Sequence, residues 1–293
     1  MKLYRDFTSQ EEIDQEYNLT LSVPDYHQWL AWYQEQSAQA RIDFQCALDQ
    51  RFGPTLDETV DIFPSQELGS ALLVFIHGGY WFRCSSKDFS YVARGLVPRG
   101  VSVAVTNYTL CPKVTISEIT RQSRAAIAWL YRQAENYNAS PQRIFVCGHS
   151  AGGQQVGMLA ATDWFGEYGL PENIIKGGIA ISGIFDLSPL CYSYLQPRLL
   201  LTHEEILRQS PYLNIPQSGP PIMVSYGENE TAEFHRQAGD YHQSRREKDL
   251  SGDLFVQPGK HHFSAIEGLN QSNSLLSNSI ISFIERCEQS EVT

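Results

Sequence analysis

No apolar run in this sequence is long enough to cross a bilayer; the longest, such as Ala71-Leu72-Leu73-Val74-Phe75-Ile76, have the length of a core strand. No block of Lys and Arg occurs either. Against 33 acidic side chains stand 22 basic ones, a formal net charge of -11. The clustered cations that neutralise nucleic-acid or anionic-lipid phosphates are therefore missing, and no nucleic-acid or membrane partner is expected. The start of the chain, Met1 to Asp6, leads into Glu11-Glu12-Ile13-Asp14 without the apolar core or cleavage site of a secretory signal. Cys46, Cys84, Cys111, Cys147, Cys191 and Cys287 are scattered, with no Cys-x-x-Cys pair. That spacing argues against a zinc or disulfide framework and for reduced thiols in a cytoplasmic protein. No His and carboxylate cluster has ligand spacing, so neither metal nor cofactor is expected. Repeats, low-complexity blocks and linkers are absent too, and residues 1–293 are expected to form one domain.

What is present is material for a large core: 42% hydrophobic residues, with 15 Tyr and 14 Phe. From Thr59 onward, strand and helix patterns alternate. Strands are predicted at 59–63, 71–76, 101–106, 143–147, 177–181, 221–226 and 254–257, and helices at 88–97, 117–136, 233–248 and 274–287. This order implies an α/β fold with a mostly parallel central sheet and helices on both faces. Residues 1–55 read as a helical lead-in, with Asp25 and Gln28 as a capping box after Pro24. Trp29, Trp32 and Tyr33 there form an aromatic face. It either packs the arm on the main body or roofs a substrate pocket. Residues 183–220 read as irregular and could form a lid.

One pentapeptide stands out: Gly148-His149-Ser150-Ala151-Gly152, between the β-prone Arg143 to Cys147 and the small-residue run Gly153 to Ala161. Strand, G-x-S-x-G and helix together make a nucleophile elbow, in which glycines permit a turn too tight for side chains and expose the serine hydroxyl. A serine at its ordinary pKa needs a base, and the base needs an orienting acid. In the order Ser, acid, His, the acid should follow the strand at 221–226. There Tyr226-Gly227-Glu228-Asn229-Glu230 offers Glu230, with Glu228 and the more distant Asp186 as competitors. The base should follow the last strand, where His261-His262-Phe263 offers His262, with His261 as substitute. His27, His203, His235 and His242 read as surface residues.

The oxyanion of an acyl-transfer intermediate needs fixed donors. The backbone N–H of Ala151, at a helix start, supplies one. The loop His77-Gly78-Gly79 after a buried strand supplies the others through Gly78 and Gly79, with His77 as brace. Tyr80, Trp81 and Phe82 follow at once and could restrict the acyl pocket and stack on an aryl leaving group. His149, beside the nucleophile, and Phe185, in the 183–220 stretch, are further candidates for substrate contact.

His77-Gly78-Gly79-Tyr80-Trp81, Gly148 to Gly153, Glu233-Phe234-His235-Arg236-Gln237 and His262-Phe263 together resemble the serine-type arylformamidases, also called kynurenine formamidases, of the α/β-hydrolase fold. The likeness runs from about Tyr17 through the last helix. It implies hydrolysis of N-formyl-L-kynurenine to L-kynurenine and formate. The family's usual acid is Asp, and Glu230 stands at the matching position here. Two other readings use the same residues differently: a small-acyl carboxylesterase of the HGG class, and a non-catalytic hydrolase-fold ligand receptor. The partners expected are a small-molecule substrate and, at most, a second copy in a homodimer.

Overall fold

The computed structural model describes residues 2–290, so the extreme ends of the expected 1–293 domain lie outside the described residues. Eight strands form one sheet: β1 (Ala47–Arg51), β2 (Thr59–Phe63), β3 (Ser70–Ile76), β4 (Val101–Thr106), β5 (Ala139–His149), β6 (Ile175–Ile181), β7 (Ile222–Gly227) and β8 (Leu254–Gln257). Their spatial order is β1-β2-β4-β3-β5-β6-β7-β8. The β1–β2 and β2–β4 pairs are antiparallel and the rest are parallel.

Every residue of β3 is buried because both faces of the sheet are covered, as a parallel sheet requires. Alternate side chains go to opposite layers. Leu72, Val74 and Ile76 point to one apolar layer, shared with Ile119 and Ile127 of the helix Ile116–Gln133 and Val156 of the helix Ala151–Ala160. Leu73 and Phe75 point to the other, shared with Ile280 and Ile284 of the helix Leu275–Ser290. No helix among the described residues is long and apolar enough to cross a membrane.

The lead-in departs from expectation at two points. It holds helices Gln10–Tyr17, Leu19–Ser22 and Tyr26–Asp43, but it ends in strand β1, whose sequence Ala-Leu-Asp-Gln-Arg is largely exposed. Edge strands of this kind are polar on purpose and lack apolar alternation. Asp25 precedes the helix Tyr26–Asp43 but makes no side-chain capping bond, so the predicted capping box is absent. The helix is held instead by packing: Trp32 and Tyr33 lie against Tyr91 with ring centroids 5.2 and 5.5 Å apart. The 183–220 stretch contains helices Gln196–Leu199 and His203–Gln209 between 3₁₀ turns.

Register brings the ends of the parallel strands to one edge. Ile76 pairs with Gly148, His149 with Ile181, and Gly227 with Gln257. Residues just beyond these pairs therefore share one end of the sheet, where ligand sites of α/β proteins lie.

Candidate active site

Ser150 sits between β5 and the helix Ala151–Ala160 with φ 58° and ψ -115°, a conformation that costs a non-glycine residue on the order of 1–3 kcal/mol. Its own N–H donates to the Ile181 carbonyl at 2.8 Å, which ties the strained turn to β6. The flanking glycines are sterically required. A Cβ on Gly148 would lie 2.2 Å from the Gly152 carbonyl oxygen, and one on Gly152 would lie 1.9 Å from that of Ile76.

His262, five residues past β8, donates from Nδ1 to Oε2 of Glu230 at 2.7 Å. A carboxylate only accepts, so the proton lies on Nδ1 and leaves Nε2 with a free lone pair. Both side chains are almost wholly buried. Glu230 is held in turn: its Oε1 accepts from Gly227 N–H at 2.7 Å and Ser182 Oγ at 2.5 Å. The three-residue spacing from Gly227 thus folds the carboxylate back over the end of β7. Sequence reasoning missed Ser182, although its place directly after β6 is a signal, since that is where site residues gather.

The rival residues are engaged elsewhere. Glu228 is exposed and accepts from Gly259 N–H at 2.8 Å. Asp186 accepts from the Tyr4 hydroxyl at 2.7 Å and from Ser188 N–H at 2.8 Å. His261 turns its ring toward Trp29, 5.1 Å away edge to face.

One cavity of about 540 Å³ has Ser150, His262, Gly78, Gly79, Tyr80 and His149 in its wall. Gly78 lies against the serine, since a Cβ there would be 3.2 Å from Ser150 Cβ. Gly79 has φ 105°, a conformation that suits glycine. Ala151 opens its helix, so its N–H has no intrahelical acceptor and the positive end of the helix dipole faces the same point. His77 donates Nδ1–H to the Gly78 carbonyl at 2.8 Å and stacks on Tyr108 at 4.1 Å. Burial holds its pKa down at about 4, so it braces the loop as a neutral ring. His149 is neutral as well, its pKa pushed well below the usual value by burial and then by neighbouring His262. Its Nε2–H donates to the His262 carbonyl at 2.9 Å. His149 thus lines the cavity and also fixes the backbone of the base.

Two predicted substrate contacts are placed elsewhere. Trp81 is fully buried and its indole N–H donates to Gln154 Oε1 at 3.1 Å. Successive positive φ angles at Gly79, Tyr80 (49°) and Trp81 (60°) coil the chain, leaving Tyr80 and Phe82 in the cavity wall and Trp81 in the core. Phe185 is also fully buried, stacked on Tyr241 at 4.2 Å. From the 183–220 stretch, Tyr194 alone among the described residues lines the cavity. The lead-in contributes far more, including Asn18, Leu19, Thr20, Tyr26 and Tyr33. The arm both packs on the body and walls the cavity.

Ser150, the imidazole of His262 oriented by Glu230, and the Gly78–Gly79 loop thus border one cavity, which brings together the residue types that acyl transfer uses. A family model described as BD-FAE matches residues 60–244. The chain is similar to the kynurenine formamidase of Salmo salar, 31% identical over 243 residues, which are 80% of this chain and 81% of that protein. The kynurenine formamidase of Danio rerio is 29% identical over 84% of each chain. Among solved structures, a Silicibacter sp. TM1040 protein described as a candidate thioesterase superposes with a TM-score of 0.77 at 27% identity, covering 92% of this chain and 99% of that one. Esterase B of Lactobacillus rhamnosis superposes with a TM-score of 0.74 at 15% identity, over 96% and 97% of the two chains, a likeness of fold alone.

Proposed function

The chain belongs to the kynurenine formamidase family of α/β-hydrolases and is a serine hydrolase; on that premise we propose that it cleaves an aryl formamide, N-formyl-L-kynurenine, to L-kynurenine and formate. The observation that carries the reading is the 2.7 Å His262–Glu230 bond beside a cavity that also exposes Ser150 and the paired glycines. In this mechanism His262 Nε2 takes the Ser150 proton as Oγ attacks the formyl carbon. The oxyanion is stabilised by N–H groups of the Gly78–Gly79 loop and Ala151. His262 returns the proton to the departing arylamine nitrogen, which leaves a formyl ester on Ser150. Water, deprotonated by the same imidazole, then releases formate and regenerates the serine.

The apolar rings of Tyr80 and Phe82 in the cavity wall suit a small acyl group and an aryl leaving group. The same wall also suits a short-chain aryl ester, so a small-acyl carboxylesterase is the second reading. Steady-state turnover of N-formylkynurenine against p-nitrophenyl acetate separates them. A kcat/KM for the formamide equal to or above that for the ester is expected, and a formamide rate indistinguishable from background would remove the first reading. Ser150→Ala should end fluorophosphonate labelling and lower kcat by about 10³-fold or more. Labelling that persists in this variant would place the nucleophile elsewhere.

A further inference from the structure

The run Glu233-Phe234-His235-Arg236-Gln237 supplies neither base, acid nor nucleophile, yet Glu233 and Gln237 are 5% and 2% exposed. Gln237 Oε1 accepts from the N–H groups of Phe185 and Asp186 at 2.7 and 2.8 Å, and further partners of both side chains come from the N-terminal arm. The Tyr17 hydroxyl donates to Glu233 Oε2 at 2.8 Å and accepts from Gln237 Nε2 at 2.6 Å. Arg236 grips both Glu233 oxygens, at 2.6 and 2.7 Å, and donates to the Tyr4 hydroxyl at 3.1 Å. Backbone joins in as well: Glu233 N–H donates to Glu16 Oε2 at 2.9 Å, and Thr231 Oγ1 donates to the Glu16 carbonyl at 2.8 Å. Burial, and then the neighbouring Glu233 charge, raise the Tyr17 pKa well above its ordinary value, so this phenol stays a donor.

Apolar packing could fasten an arm at less cost than a buried carboxylate with its guanidinium, whereas such a pair fixes geometry. The geometry fixed here concerns the cavity. Asn18, Leu19 and Thr20, the residues after Tyr17, stand in its wall. Tyr80, next to Gly79 in the candidate oxyanion loop and also in the cavity wall, donates its hydroxyl to the Tyr17 carbonyl at 2.6 Å. Tyr17 is therefore bound through its side chain to the helix Ala232–Arg246 and through its carbonyl to the loop beside Ser150.

We propose that Tyr17, Glu233 and Gln237 form a positioning clamp that sets the N-terminal arm as one wall of the acyl pocket, and that this clamp determines acyl-length selectivity. When the clamp is released, the Asn18–Thr20 wall moves outward and the Tyr80 ring loses its anchor. Short acyl groups then lose positioning while long ones gain room. The inference rests on hydrolysis at Ser150 but not on the identity of the formamide.

The test compares kcat and KM for p-nitrophenyl acetate and octanoate in the full chain and in its Tyr17→Phe and Glu233→Gln variants, with melting temperature and fluorophosphonate labelling followed alongside. In Tyr17→Phe, the acetate-to-octanoate ratio of kcat/KM should fall about tenfold, the size expected for one lost hydrogen bond to a charged group. Glu233→Gln keeps an oxygen that accepts from Tyr17 but loses one of the two acceptors that Arg236 grips, so the ratio should fall, by less than in Tyr17→Phe. If Tyr17→Phe does not fold, Tyr80→Phe removes the bond from the loop side and should move the ratio in the same direction. An unchanged ratio in folded, fully labelled Tyr17→Phe or Tyr80→Phe protein overturns the clamp, because a purely structural role would alter only the melting temperature. Failure of the unaltered protein to label at Ser150 overturns the hydrolytic reading, and the selectivity role falls with it.

Discussion

At the scale of single residues, the site turns on which carboxylate faces the imidazole. Glu230 and Glu228 are two positions apart in one loop, but only Glu230 reaches His262. Its other oxygen, Oε1, is occupied by Gly227 N–H and Ser182 Oγ, which leaves Oε2 to the base. Glu230→Gln keeps size and shape yet presents an amide that can hold the wrong imidazole tautomer. A loss in kcat of about 10²–10⁴-fold is expected. Glu228→Gln should stay within about twofold, since its exposed carboxylate meets only a loop N–H. Side-by-side kcat measurements decide the matter, and the reverse ranking would reassign the acid. The long side chain of Glu fits here because the loop folds back on itself: Glu230 N–H also donates to the Gly227 carbonyl at 3.1 Å.

At the scale of elements, two helices of equal length begin in different ways. The helix Ile116–Gln133 is capped by Thr115, whose side chain accepts from Glu118 N–H, whereas the helix Tyr26–Asp43 starts at Asp25 with no such bond. Thr115→Ala should therefore cost about 1 kcal/mol. Asp25→Ala should change stability by less than about 0.5 kcal/mol. Urea unfolding of both variants checks this, and a large loss in Asp25→Ala would restore the capping box. Sequence alone invites the opposite view of Asp25, because the Asp-x-x-Gln pattern is present and only the backbone angles at Asp25, φ -90° and ψ 17°, turn its carboxylate away. The same limit applies elsewhere. The bounds of β2, β4 and β8 were legible because each is a short β-prone run between turns, and the placement of Ser150, Glu230 and His262 at one end of the sheet was legible because each follows a strand. β1 was not, since an exposed edge strand carries no apolar alternation. Nor was the side on which Trp81 falls, which three successive left-handed residues decide. The clamp on Tyr17 lay beyond local reading altogether, because its partners are 216 and 220 positions away.

At the scale of the whole molecule, the register of six parallel strands brings the candidate nucleophile, acid, base and oxyanion loop to one edge, and much of what surrounds them is buried. Two histidines in that zone, His77 and His149, are fixed as neutral rings by burial, and both serve as donors to carbonyl oxygens of the site. This has a consequence for stability. In the unfolded chain a histidine titrates near about 6.5, whereas His77 in the fold titrates at about 4 and His149 well below its ordinary value. Between these limits the unfolded state binds more protons than the native one, so stability falls as pH falls. The full contribution is present above about pH 6.5, and His77 ceases to add to the slope below about pH 4, where both states carry its proton. Half-buried His242 and His261 are shifted in the same direction by burial and add to the trend. Each fully buried ring contributes a slope approaching 1.36 kcal/mol per pH unit. Unfolding midpoints in urea should thus drop steadily from pH 7 to 5, a range in which ordinary carboxylates with pKa near about 4 add little. His149→Gln, which retains an N–H for the His262 carbonyl, should flatten that slope by about a third, because His77, His242 and His261 still contribute. A midpoint independent of pH over this range would mean that both rings take up protons within the fold, and the neutral brace of the oxyanion loop would have to be abandoned.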